Sequence, residues 1–169
     1  RVVEHLLGLG HRRIALVLWQ GDTRPVRRRV QGFRTAFQAA GLLVPDLLVQ
    51  ARSVTASVNA EVTELLGRPD RPSALIVQGT HMLNSALRAI AARGLQVPRE
   101  ISVGAIGDTP CAPAHEPAGW GLDIDQAETA RCLVGLLLTR IADNGLPQRK
   151  ARIALRYVER DSVAAPASA

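Results

Sequence analysis

The chain has 169 residues, a formal net charge of +6, 47% hydrophobic and 21% charged side chains. A domain of this length buries roughly 70% of the surface of its unfolded chain, so we expect one compact core. No apolar run approaches the ~20 residues of a membrane-spanning helix, and we expect neither a membrane segment nor a signal peptide. Cys111 and Cys132 do not form a metal-type pair, which favours a reducing, cytoplasmic setting over a disulfide.

The positive charge comes from twenty arginines and one lysine, Lys150. A basic balance can indicate a nucleic-acid surface. Here only residues 27–29 form an arginine run, and aromatic residues make up 3% of the chain. Direct binding needs stacking platforms or a basic helix that enters a groove. We therefore expect no direct nucleic-acid contact from this sequence.

In chain order, helical and strand patterns alternate. The chain starts at Arg1 inside a helical pattern that ends at Gly8 and Gly10, which suggests a fragment of a longer protein. The apolar run Ile14 to Leu18 predicts a strand covered on both faces. Further strands are predicted at 47–50, 74–78, 101–106 and 153–158, and helices at 29–40, 56–66, 82–92 and 126–142.

This alternation with short turns predicts an α/β fold with a doubly wound parallel, Rossmann-like sheet. Ligands of such sheets lie outside the carboxyl ends of the strands. That rule selects Trp19, Gln20, residues 78–81 and residues 107–111 as the lining of a cleft. The small and polar residues 161–169 are predicted to fray.

Six motifs follow one another along the chain. They are H-L-L-x-L-G-H-R-R-I-A at 5–15, R-x-x-G-F-x-x-A-F at 29–37, P-x-A-L-I-V at 72–77, the run 86–103 with G-L-x-V-P-x-x-I-S-V, a leucine-rich helix at 133–141 and V-x-R-x-S at 158–162. In this order they resemble the effector-binding domain of lactose-repressor-type (LacI/GalR) bacterial transcription regulators. The resemblance implies a type I periplasmic-binding-protein-like fold, no cofactor, and a small-molecule effector such as a sugar. A helix-turn-helix outside this sequence would contact DNA.

The resemblance also implies a division of the chain. Residues 1–118 would be the C-terminal lobe, 119–148 a returning segment whose helix belongs to a missing N-terminal lobe, 149–160 the last strand of the C-terminal lobe, and 161–169 a frayed tail. It implies a homodimer that uses the helix 82–92, although the apolar stripe of that helix is also explained by core packing. The alternative function is a transporter's solute-binding protein of the same architecture.

Four residues are the candidate ligand contacts. Arg29 matches the family's ligand-binding arginine, whose donors can form bidentate contacts; the alternative is a surface arginine. Thr80 stands where the family usually has an acidic residue, and Asp108 survives from an Asp-Asp pair whose first member is Gly107. Asp108 could instead stabilise a turn. Trp19 could stack on the ligand, fill the pocket or pack against another subunit.

The sequence supports a catalytic or metal-binding function less well than ligand binding. Cys111, His115 and Glu116 combine a thiol with an imidazole, as the nucleophilic site of a small enzyme would. Interleaved prolines favour a rigid surface loop instead. His81 and Cys132, taken with Cys111 and His115, lack the spacing of metal ligands. We therefore expect no metal and no enzymatic activity.

Overall fold

The computed structural model describes residues 1–52, 56–108 and 119–167. Its elements are α1 (Val2–Gly8), β1 (Ile14–Trp19), α2 (Arg24–Ala39), β2 (Leu48–Ala51), α3 (Ala56–Leu66), β3 (Ala74–Gln78), α4 (Gly79–Ala92), β4 (Ser102–Asp108), β5 (Trp120–Ile124), α5 (Gln126–Ala142) and β6 (Leu155–Val158). No helix of the described part is long and apolar enough to cross a membrane.

The strands form one sheet in the order β2-β1-β3-β4-β5-β6. The first five strands pair in parallel and β6 is antiparallel to β5. This confirms the predicted doubly wound α/β fold. Because β2 and β3 lie on opposite sides of β1, the strand order reverses between β1 and β3, where sheets of this kind bind ligands.

Alternate strand residues contribute to two separate cores, as expected for a sheet covered on both faces. Ala15, Val17, Leu75 and Val77 face α3 and α4. On the other face, Ile14, Leu16, Leu18 and Ile76 face α1 and α2. All of these strand side chains are almost completely buried. The apolar stripe of α4, including Leu83, Ala86 and Ile90, belongs to the first core, so core packing accounts for it.

The strand β5 was not predicted as a separate element. Its apolar signal is broken by Gly121 and Asp123. Gly121 is required by close strand pairing, since a Cβ at this position would lie 2.2 Å from the carbonyl oxygen of Ala105. Helix α2 also begins earlier than expected, at Arg24. The hydroxyl of Thr23 accepts a hydrogen bond from the Val26 N–H at 3.5 Å, and Pro25 occupies the first turn.

The expectation of a frayed tail is wrong for residues 162–166. The Ser162 hydroxyl is fully buried, accepts from the Trp120 N–H at 2.8 Å and donates to the Val103 carbonyl at 2.6 Å. The Ser102 hydroxyl donates a hydrogen bond to the Ala164 carbonyl at 3.0 Å. Pro166 packs near Gly10. These long-range contacts hold the tail across the amino-terminal ends of the strands.

Candidate functional site

The candidate site is the carboxyl edge of β1, β3 and β4. Trp19 is the last residue of β1, Asp108 is the last residue of β4, and Thr80 follows β3 in the first turn of α4. Because β1, β3 and β4 pair in parallel, their carboxyl ends lie at the same edge of the sheet. Three of the four predicted ligand residues therefore lie at or next to this edge.

The end of β1 is tied to the end of β3. The Trp19 N–H donates to Oε1 of Gln78 at 3.3 Å, and the Trp19 side chain is 41% exposed. An exposed aromatic face beside a fixed amide suits contact with a flat or ring-shaped ligand. The structure thus leaves Trp19 accessible at the point where the strand order reverses.

Two glycines shape this edge. Gly79 has a φ of +74° where β3 turns into α4, and Gly107 has a φ of +86° where the pairing of β4 with β5 shifts. Side-chain residues rarely adopt this left-handed region. The backbone conformation at 107 therefore favours glycine, which gives a local reason for the absence of the family's first aspartate there.

Arg29 is half-buried in the second turn of α2, the helix that follows β1. Burial lowers the pKa of the Arg29 guanidinium because desolvation disfavours its charged form. Within the described residues it forms no hydrogen bond or ion pair. Arg27 differs, since it pairs with Asp22 at 2.8 Å. A half-buried guanidinium without a protein partner has its donors available for a ligand.

The other two candidates lie at or just after strand ends. Thr80 is buried in the first turn of α4. Asp108 is the last residue of β4. Their roles as ligand contacts stay predictions.

The segment with Cys111, His115 and Glu116, for which the sequence favours a surface loop over a catalytic site, also lies outside the described residues. In the part of the chain that the structure describes, no three His, Cys, Asp or Glu side chains come together as a metal site. Cys132 is a half-buried free thiol on α5.

The start of α2 at Arg24 differs from the predicted start at Arg29, although the Thr23 cap followed by Pro25 is a sequence signal for the earlier start.

Doubly wound sheets typically bind small molecules at the point where their strand order reverses. A family model described as "Periplasmic binding protein-like domain" matches residues 3–163. The chain belongs to this family, and its relatives are transcription regulators of the LacI type. This confirms the family that the sequence motifs indicate.

Three relatives illustrate the similarity. The HTH-type transcriptional regulator DegA of Bacillus subtilis is 32% identical over 115 residues, covering 68% of this chain and 34% of DegA. The ribose operon repressor of Escherichia coli K12 is 28% identical over 164 residues, covering 94% and 48%. A sugar-binding LacI-family regulator from Escherichia coli, crystallised with phosphate, superposes with a TM-score of 0.84 at 28% identity, covering 98% of this chain and 59% of that one.

The chain spans about half or less of the length of these curated relatives. They are transcription regulators and not transporter components or enzymes. The comparisons therefore favour the regulator over the solute-binding alternative.

Proposed function

We propose that this chain is the effector-sensing lobe of a cytoplasmic transcription regulator, without enzymatic activity. The observation that carries the proposal is Arg29, which is half-buried in the second turn of the helix after β1 and forms no hydrogen bond or ion pair with the described residues. Arginine donors fit the hydroxyl or carboxylate oxygens of a small polar molecule. Trp19 would supply a stacking face, and Thr80 and Asp108 would complete the edge.

The signal would pass through a second lobe. Helix α5 has no buried residue, and Leu133, Leu137 and Ile141 are exposed along it. This apolar face is suited to pack in an N-terminal lobe, as proposed for residues 119–148. A ligand that binds between two lobes favours their closed arrangement by its differential affinity for it. DNA contact would come from a helix-turn-helix elsewhere in the protein, and the assembly would be a homodimer.

Thermal shift on the complete protein tests the effector site, using a panel of sugars, nucleosides and purines. A true effector raises the melting temperature, since it binds the folded state alone. Arg29→Ala should weaken that ligand by about tenfold or more, because charged hydrogen bonds are lost. The matched control is Arg34→Ala, an exposed arginine on the same helix. Full affinity in Arg29→Ala would contradict the proposal.

The homodimer is tested separately by light scattering of the complete protein. A twofold molecular mass at micromolar concentration is the expected result. A monomer at high micromolar concentration would contradict it.

A further inference from the structure

Strand β2 is the outermost strand at one end of the sheet, and within the described residues it pairs only with β1. Backbone N–H groups on the β1 side donate to the carbonyls of Leu47 and Ala51 at 3.0 and 2.8 Å. In a parallel ladder, alternate residues of a strand bond to the same neighbouring strand. The N–H and C=O groups of Leu48 and Gln50 therefore point away from the sheet, where a further strand could pair with them.

The two outermost strands of the sheet differ in how they are protected. Strand β6 carries Arg156, which pairs with Asp123 at 2.6 Å, and Glu159 and Arg160 follow it directly. Charged side chains and proline are the usual devices that keep an outermost strand from pairing with another chain. Strand β2 has the sequence L-V-Q-A, with neither a charge nor a proline. Its outer side is therefore the less protected of the two.

A groove of about 310 Å³, here called the β2 groove, follows this strand. Residues 46–50 form one wall, and Glu61, Glu64, Leu65 and Arg68 form the other, on α3 and just after it. Successive side chains of a strand point to opposite faces of a sheet. Because five consecutive residues line the groove, it borders the side of the strand and not one face alone.

The β2 groove is acidic, although the chain as a whole has a net charge of +6. Asp46, Glu61 and Glu64 supply three carboxylates, and Arg68 supplies the single guanidinium. Asp46 and Glu64 are exposed, and in the described part of the chain neither takes part in an ion pair. Carboxylates that share one groove repel each other and attract a cation. The charge complement of this groove is therefore a positively charged partner.

We propose that the β2 groove binds an extended basic segment of a partner protein, which adds to the six-stranded sheet beside β2. The backbone of that segment pairs with Leu48 and Gln50. Alternate side chains of an added strand share one face of the sheet. Leu47 and Val49 mark the face of β2 that packs toward α3, where Glu64 lies. The recognised pattern is therefore arginine or lysine at every second position, which brings the basic side chains to the carboxylates of α3.

Fluorescence anisotropy with the complete protein tests the proposal at about 0.15 M salt, where long-range charge effects are screened. The probe is a labelled peptide of alternating arginine and valine. A second peptide has glutamate in place of arginine, and a third keeps the arginines but has every backbone nitrogen methylated. The arginine peptide should bind and the glutamate peptide should not. Methylation should weaken binding by about tenfold or more, because strand addition needs the backbone N–H donors.

Variants of the β2 groove separate the two parts of the recognition. Asp46→Asn and Glu64→Gln should each weaken binding by about twofold to fivefold, as expected for exposed charge pairs. Glu159→Gln, beside the other outermost strand, is the matched control and should leave binding unchanged. Gln50→Pro removes one outward N–H without touching the ladder to β1 and should weaken binding by about threefold to tenfold. Gln50→Ala keeps that N–H and should bind normally.

Circular dichroism would verify that every variant is folded. The proposal is overturned if the arginine peptide does not bind, or if Glu159→Gln weakens binding as much as Glu64→Gln does. Equal binding of the methylated peptide would also overturn it, since charge alone would then account for the attraction. A molecular mass that falls in Gln50→Pro by light scattering would show instead that a second copy of the chain occupies the groove.

This surface is separate from the proposed effector contact. Arg29 lies on α2 and Trp19 at the carboxyl end of β1, and neither lines the β2 groove. Arg29→Ala should therefore bind the arginine peptide normally even if it loses the effector. Glu64→Gln should keep the effector while it binds the peptide more weakly. Loss of peptide binding in Arg29→Ala would contradict a site independent of the effector contact.

Discussion

The sheet buries its apolar side chains, whereas helix α5 leaves most of its apolar side chains exposed. Strands β1 and β3 bury every residue from Ile14 to Leu18 and from Ala74 to Val77 between two layers of helices. Helix α5 has no buried residue at all. The first region is stabilised by its own contacts, whereas the second presents apolar area that nothing in the described residues covers.

The two sides of α5 sharpen this contrast. Thr129, Cys132 and Leu136 are half-buried along one side of the helix. The opposite side exposes Leu133, Val134, Leu137, Leu138 and Ile141. Contiguous exposed apolar surface of this kind marks an interaction site more often than a solvated face. The pattern supports the proposal that α5 packs in another lobe.

The largest expected effect on the free energy of unfolding is found by making the same Leu→Ala substitution in the sheet and in α5. Leu75→Ala removes a side chain that is 0% exposed and should lower the free energy of unfolding by about 2–5 kcal/mol. In this 169-residue chain, without the proposed second lobe, Leu137→Ala removes a side chain that is 59% exposed and should change the free energy of unfolding by less than about 0.5 kcal/mol. Urea unfolding of both variants checks the difference. Equal losses would show that α5 packs on the sheet in solution.

The second effect concerns the tail that crosses the sheet. Ser162→Ala leaves the Trp120 N–H and one acceptor position of Val103 without the buried hydroxyl. We expect a loss of about 1–3 kcal/mol in urea unfolding, because buried polar groups would be left unpaired. Ser168→Ala provides the comparison at a position outside the described residues. Unchanged stability in Ser162→Ala would indicate that the tail is not attached.

Sequence patterns were sufficient where contacts are local or where burial is continuous. The helix at 56–66 and the strand at 74–78 match their observed bounds, since an uninterrupted apolar run or a helical stripe specifies each. The tail and β5 depend on contacts across the chain, such as Ser162 with Trp120, 42 positions apart. No local pattern encodes such pairs. Arg29, in contrast, follows from the motif R-x-x-G-F at 29–33.

The third prediction concerns the pH dependence of stability, which we expect to come from His11, a buried histidine just before β1. His11 lies between the Ser73 hydroxyl and the Ala164 carbonyl, each at 2.8 Å. The carbonyl accepts only, so Nε2 carries the proton of the neutral ring. Burial lowers the pKa of His11 below its usual 6.5, with the Ala164 hydrogen bond opposing this shift. The unfolded chain therefore takes up its proton first as the pH falls.

It follows that the free energy of unfolding decreases as the pH falls below about 6.5 and towards the lower pKa of the folded state. Above that window the ring is neutral in both states and contributes no pH dependence. His11→Gln should flatten the decrease between about pH 7 and pH 5, as measured by urea unfolding. His81→Gln, at an exposed position on α4, should keep it. Identical slopes in both variants would contradict the assignment to His11.

The smallest expected effect is the gain in helix stability from a Gly→Ala substitution in α2 or in α5. Gly32 in α2 and Gly135 in α5 are helical glycines, and a Cβ at either would meet no atom within 4 Å. Replacing each with alanine should favour its helix by about 0.5–1 kcal/mol. In Gly32→Ala the gain should appear in global unfolding, because α2 packs on the sheet. In Gly135→Ala it should appear only as slower amide hydrogen exchange within α5, because that helix can open without disturbing the core. A rise in global stability from Gly135→Ala would show that α5 and the sheet unfold as one unit.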